Sequence, residues 1–304
     1  MGDFIAAFGF ALLMWWLSTG FILFLNHLHP STYRRSLTFV TLLAIAALIG
    51  IHMGSAETTK LAALLGFAQA LVVWAWLEMS YFMGLVTGPR KAPCPPGARG
   101  WPRFYLALQT SLYHELAVIA GGAIIIAITW NAENHVAAGT FITLWLMRWS
   151  AKLNLFLGVP NVNTEWFPKP LRFLCSYMPV KPMNLLFPFT VSAATIVTAW
   201  LFVLAAGESD GFLRTSYALV GSLLALAVLE HWFLVLPLRD SLLWNWALHL
   251  AGRETQTGDP APAGATRVDL EQAPSIPIGK LGRFGRAGEQ TLRRQDVSAA
   301  RIAP

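Results

Sequence analysis

The chain has 304 residues, of which 55% are hydrophobic and only 12% charged, against roughly 25% charged in an ordinary soluble domain. With a mean hydropathy of +0.52, a soluble fold of this size could not bury its apolar surface, which excludes a plain soluble enzyme, a disordered chain and a nucleic-acid-binding module. The net charge of +6, from 22 basic and 16 acidic residues, reads instead as basic cytoplasmic loops of a membrane protein, and no nucleic-acid partner is expected.

Seven apolar stretches approach the ~20 residues that cross a bilayer. The first runs from Asp3 to Leu25 and lacks the basic start and small-residue cleavage site of a signal peptide, so it reads as a retained helix. The others run from Ser36 to Gly54, Lys60 to Met83, Phe104 to Trp130, Val136 to Leu157, Asn184 to Ala206 and Thr215 to Leu238. Backbone groups in hydrocarbon must be satisfied within the segment, so each is predicted helical. The fold class expected is all-α: a polytopic bundle of seven transmembrane helices over residues 1–252.

Loop charge sets the orientation. Arg34 and Arg35, then Arg90, Lys91, Arg99 and Arg103, then Lys169, Arg172 and Lys181 fall in the first, third and fifth loops. The positive-inside bias puts these loops in the cytoplasm, the N-terminus in the periplasm and the C-terminus in the cytoplasm. Residues 84–103 are rich in Gly and Pro and need turns. A short interfacial helix is predicted near Lys169–Tyr177, with Trp166, Phe167, Phe173 and Tyr177 at headgroup level. A surface helix is predicted over 241–252. From Arg253 to Pro304, basic and acidic residues nearly balance, eight against six, and the composition predicts a disordered cytoplasmic tail. Cys94 and Cys175 both fall in cytoplasmic loops, where free thiols are expected.

Ionisable residues within the spans carry most of the functional information, since each costs about 2.5–3.5 kcal/mol near the bilayer centre even on the lenient scale. They are Glu78, His114, Glu115, Arg148, Lys152, Glu230 and His231. At a rise of about 1.5 Å per residue, all seven fall in the cytoplasmic halves of their helices, which predicts one polar cluster. Asn154 lies on the same rim. Three arrangements are open. Glu78, His114, Glu115, Glu230 and His231 could hold iron or manganese, although each adjacent His–Glu pair diverges by about 100° around its helix and lacks the E-x-x-H spacing of carboxylate-bridged bundles. His114 or His231 could ligate the magnesium of a bacteriochlorophyll, lined by Trp74, Trp76, Trp145, Trp149 and Trp232. Finally, Glu115 and Glu230 could neutralise Arg148 and Lys152 as buried ion pairs. No phosphate loop, dinucleotide fingerprint, nucleophile elbow or complete H-E-x-x-H occurs, since Val118 stands where the second His would be.

The segments LEMSYFMGLVTGPRKAPCPPGARGWPRF, LQTSLYHELAVIA, LWLMRWSAKLNLFLGVPNVNTEWFP and PVKPMNLLFPFTVSA resemble the PuhE family, photosynthetic complex assembly proteins of purple phototrophic bacteria encoded near the reaction-centre H subunit. The resemblance covers residues 1–250. It implies a role in assembling the reaction centre and light-harvesting complex and an association with bacteriochlorophyll metabolism or delivery, in the cell inner membrane or its intracytoplasmic photosynthetic extension. It carries over Glu78, Thr87–Arg90, Cys94, His114, Glu115, Arg148, Lys152, Asn154, Asn161, Asn163, Met183 and Asn184 as motif positions and supplies no catalytic residue. The reading favoured is an assembly factor that handles bacteriochlorophyll or contacts nascent core subunits. The alternative is an intramembrane metal-dependent enzyme acting on a pigment, lipid or quinone.

Overall fold

Helix α1 spans Gly2–His27, α2 Tyr33–Met53, α3 Lys60–Phe82, α4 Gly100–Thr129, α5 Val136–Leu157, α6 Leu186–Gly207, α7 Gly211–Phe233 and α8 Asn245–Gly258. This computed structural model describes residues 2–162, 167–237 and 243–258, apart from the side chains of Lys169 and of residues 253–258. The remainder of the expected tail, from residue 259 on, lies outside the described residues, as do Asn163 and Trp166. The protein is an all-α polytopic membrane protein. Six helices, α1 to α4, α6 and α7, are long and apolar enough to cross a bilayer. The expected fifth span, α5, has 22 residues but does not join those six, and it carries Arg148 and Lys152.

Side-chain caps set several helix starts. Thr59 Oγ1 accepts from Ala62 N at 3.1 Å, opening α3. Asp210 Oδ1 accepts from Leu213 N at 2.8 Å, which starts α7 at Gly211, ahead of the predicted Thr215. Asn184 Oδ1 accepts from both Leu186 N and Phe187 N, so Asn184 caps α6 instead of lying within it. Each cap fills donors that the first helical turn leaves open. Helix α7 ends at Phe233, short of the predicted Leu238, because Pro237 cannot continue it.

Polar contacts at both ends show that the chain alternates in direction. Lys60 Nζ lies 2.7 Å and Arg214 Nη1 3.6 Å from Asp3 Oδ2, which gathers the starts of α1, α3 and α7 at one end. Asn134 Nδ2 donates to the carbonyls of Gly54 and Ala62, which brings the α4–α5 turn to the same end. At the opposite end Asn161 Nδ2 donates to Phe233 O at 2.9 Å, joining the loop after α5 to the end of α7. Helix α5 therefore runs the length of the bundle.

The centre of the bundle is α3. Its most apolar window is 56% buried, against 22% for α2 and for α6, so those two turn most of their surface to lipid. Lipid is as apolar as leucine, so helices associate here through close packing. Small residues permit that approach: Ala63, Ala70, Ala7, Ala11 and Ala218 are all nearly inaccessible. Phe67 and Leu219 fill the α1–α3–α7 seam; Phe141, Ile125 and Leu77 fill the α3–α4–α5 seam.

The segment Lys169–Tyr177 forms a 3-10 helix. Leu171 and Leu174 are buried and pack on Tyr81 and Phe82 at the end of α3, and Tyr177 is buried as well. The predicted surface helix corresponds to α8, which rests on α1 and extends to Gly258.

Candidate functional site

The loop after α3 is built to enter the bundle. Thr87 O accepts from the backbone N–H of His114 at 2.9 Å, and Gln109 O accepts from Arg90 N at 3.3 Å. The loop thus docks into the middle of α4. A side chain at position 88 would collide with the Gln109 carbonyl, which is why glycine stands there. Arg90 then ties the loop to the 3-10 segment, donating from Nε to Tyr177 Oη at 2.8 Å.

Around this insertion four charged side chains pair across three helices. Arg148 Nη2 donates to Glu78 Oε2 at 2.9 Å. Glu115 accepts twice, from Lys152 Nζ at 2.6 Å on Oε1 and from Trp149 Nε1 at 2.8 Å on Oε2. Glu78 and Glu115 are 5% and 6% exposed, so without these partners each would be an uncompensated buried charge. The ring of Tyr81 lies between the pairs: His114 stacks on one side at 4.5 Å between centroids, and Lys152 Nζ lies 5.2 Å from its centre. Thus Arg148 and Lys152, one turn apart on α5, are held by α3 and α4 respectively.

His114 has both ring nitrogens buried without a hydrogen-bond partner, and Glu78 Oε1 is likewise unpartnered. His114 Nε2 and Glu78 Oε1 are 4.0 Å apart, beyond direct hydrogen bonding. A small rotation or one bridging water would satisfy both.

His231, 2% exposed, is fully engaged. Its Nδ1 lies 2.8 Å from Ala227 O and its Nε2 2.8 Å from Ser150 Oγ. A carbonyl can only accept, so Nδ1 carries the proton, and Nε2 of the neutral ring accepts from the serine hydroxyl. Asn154 lies one turn beyond Ser150 and donates to the Ser150 carbonyl at 2.9 Å. Glu230, the preceding residue, is exposed, and its Oε1 accepts from Trp15 Nε1 at 2.6 Å.

A cavity of about 260 Å³ lies among α1, α3, α5 and α7, and Glu78, Arg148, Glu230 and His231 all line it. The sequence-predicted residues therefore fall into two groups. Glu78, His114, Glu115, Arg148 and Lys152 form one pairing layer. Asn154 and His231 meet at Ser150, and Glu230 joins them only through the cavity wall.

This arrangement corrects two expectations. Arg148 pairs with Glu78 and Lys152 with Glu115, while Glu230, expected with Glu115 to neutralise these two bases, accepts from Trp15. The five-residue set for iron or manganese, Glu78, His114, Glu115, Glu230 and His231, is not assembled: among the described residues no three His, Cys, Asp or Glu side chains are placed to hold a metal ion. The carboxylates of Glu78 and Glu115 are taken up by Arg148 and Lys152.

The imidazoles also do not fit axial ligation of a bacteriochlorophyll as they stand. His114 is outside the cavity wall, and the Nε2 of His231 accepts from Ser150. Of the five tryptophans expected as a pigment lining, only Trp74 reaches the cavity. Trp76 bonds Thr41, Trp149 bonds Glu115, and Trp232 packs edge-on against Phe187. Sequence reasoning missed Trp15 on α1, Ser150 on α5 and Trp244 just ahead of α8, which complete the site. Only the apolar context of their neighbours could have signalled them.

A family profile described as "Protein of unknown function (DUF3623)" matches residues 1–255. A Rhodobacter capsulatus protein described as "Uncharacterized 30.4 kDa protein in puhA 5'region" is 37% identical over 255 residues, covering 82% of this chain and 93% of that protein. No solved structure matches.

Proposed function

This chain belongs to the DUF3623 family, and on that premise we propose that it is a membrane-embedded assembly factor for the photosynthetic reaction centre and light-harvesting complex. The observation that carries this reading is the location of the Rhodobacter capsulatus relative in the puhA 5' region. The fold is compatible with the role. Its charged side chains are largely consumed in fixing helix neighbours, which suits a scaffold that contacts nascent core subunits better than a metal-dependent catalyst. The resident membrane in this reading is the inner membrane or its photosynthetic extension. The test is to delete the relative's gene in Rhodobacter capsulatus and supply this chain in its place. Near-infrared absorbance of the assembled core complex should fall severalfold on deletion and recover with this chain. Unchanged absorbance in the deletion strain would rule the reading out.

The proposal includes an orientation in which the Arg90- and Lys181-bearing loops face the cytoplasm, following the positive-inside bias. The two cysteines, Cys94 and Cys175, are free thiols, both partly exposed, and both sit at that end. A membrane-impermeant maleimide should leave both unlabelled in right-side-out cells and label them in inverted vesicles. The reverse pattern would invert the topology. Burial pushes the Cys175 thiol above its ordinary value. A raised value means less thiolate at any lower pH, so Cys175 labelling should keep accelerating past the pH at which an unperturbed thiol levels off.

A further inference from the structure

The cavity runs from Leu71 and Leu223, midway along α3 and α7, to Asn161 and Phe167 in the loop after α5. Its walls are mainly apolar and aromatic, with charged and titratable groups at Glu78, Arg148, Glu230 and His231. Ligand sites between helices of a bundle have this character. Two wall residues retain unfilled bonding capacity: Glu78 Oε1 and Arg148 Nε are buried and without a partner. His114 Nε2, 4.0 Å away, can complete Glu78. Arg148 Nε needs an acceptor from elsewhere, and an unpaired buried N–H is unfavourable until one arrives.

The charge balance selects the acceptor. Glu78 already neutralises the Arg148 guanidinium and Glu230 lines the same cavity, so the remaining N–H offers a hydrogen bond with no net positive charge behind it. An anion would lose its hydration without gaining a counter-ion, whereas an uncharged carbonyl oxygen meets the donor at little desolvation cost. The volume, near the lower edge of the ~300–1,000 Å³ typical of small-molecule pockets, suits a single ring or an ester head with part of a chain. It is too small for a whole tetrapyrrole. We propose that this cavity binds an uncharged apolar molecule of the bilayer, a quinone or a carboxylic ester, whose carbonyl oxygen accepts from Arg148 Nε while its apolar remainder lies against Trp15, Trp74 and Trp244. Those indoles place a spectroscopic reporter in the wall. The site stands apart from the assembly role, since binding is read on the isolated protein and genetic assembly defects are not.

The test uses the full chain in detergent micelles, titrated with decylubiquinone while tryptophan emission is followed. Ethyl oleate serves as the ester probe, by displacement and by its shift of the melting midpoint. The expected result is saturable quenching at one site per chain. Ala151→Phe fills the cavity and should abolish the saturable component. Arg148→Lys keeps a charge for Glu78 but lacks the Nε–H, and should weaken binding by about tenfold. Circular dichroism confirms that each variant is folded, and Arg148→Lys keeps the proposal testable if Ala151→Phe does not fold. Saturable quenching by decylubiquinone assigns the quinone source, and stabilisation by ethyl oleate with no saturable quenching by decylubiquinone assigns the ester. Equal responses from wild type and both variants would mean partition into the micelle and would overturn the proposal. Failure of both probes to bind saturably would overturn it as well.

Discussion

Replacing Arg148 by Met should lower the unfolding free energy in detergent by about 3–5 kcal/mol, the scale set by stranding one partner of a buried ion pair. The carboxylate left behind, Glu78, is 5% exposed and has one oxygen already unpartnered. Its nearest remaining polar neighbour is His114 Nε2 at 4.0 Å. Glu78 would have to take up a proton or open the α3–α5 seam to water. The double variant Glu78→Leu/Arg148→Met should recover most of the loss, because two apolar side chains satisfy each other where one charge cannot. A double-mutant cycle by denaturant unfolding measures the difference directly. If the double variant is as unstable as the sum of the singles, the two residues do not act as a pair. If Arg148→Met melts like wild type, the pair has no structural role.

The outcome also separates two uses of intramembrane charge. A pair retained only to fix helix neighbours can be exchanged for apolar residues with no functional loss. If the Leu/Met variant folds but fails to support core-complex assembly, the polar character of Glu78 and Arg148 is needed for more than packing. The second pair is a useful control. Glu115 is held by two donors, Lys152 and Trp149, and is outside the cavity wall.

The degree to which this could be read from sequence follows from what encodes each feature. The helices were legible because apolar runs of bilayer length have few other solutions, and the caps at Thr59 and Asp210 are ordinary side-chain signals. The depth of the seven intramembrane ionisable residues along their helices was legible too, countable at about 1.5 Å per residue. Which acid meets which base was not. A helix that is apolar all round carries no stripe to reveal its inward face, so the sequence offered Glu115 and Glu230 for Arg148 and Lys152 and passed over Glu78. The deciding fact is lateral: α3 is central and brings Glu78 within 2.9 Å of Arg148, while Glu230 shares the cavity wall and accepts from Trp15. The docking of Thr87 and Gly88 into α4 was equally hidden, since a Gly-Pro loop announces a turn but not its destination.

Residues 241–252 were expected to form a surface-lying helix, yet Trp244, just ahead of α8, is 1% exposed. Its ring meets Trp15 edge to face at 5.2 Å, and its Nε1 donates to the Trp16 carbonyl at 3.0 Å. Trp16 Nε1 in turn donates to Leu243 O at 3.0 Å, so the two segments exchange indole hydrogen bonds. Gly20 completes the seat, because any side chain there would strike the Trp246 ring. Trp244→Ala should therefore release α8, with a loss of about 3–5 kcal/mol for an unfilled tryptophan site. Hydrogen exchange over α8 should accelerate by about two orders of magnitude while α3 stays protected, because local opening and global unfolding are separate events. Trp244→Phe keeps the ring but loses the donor and should cost only about 1 kcal/mol. Unaltered α8 exchange in the alanine variant would show that α8 is held by something other than this tryptophan. A loss of protection spread evenly over α3 and α8 would show instead that α8 is part of the bundle's cooperative core, and that the cavity wall it contributes through Trp244 cannot open on its own.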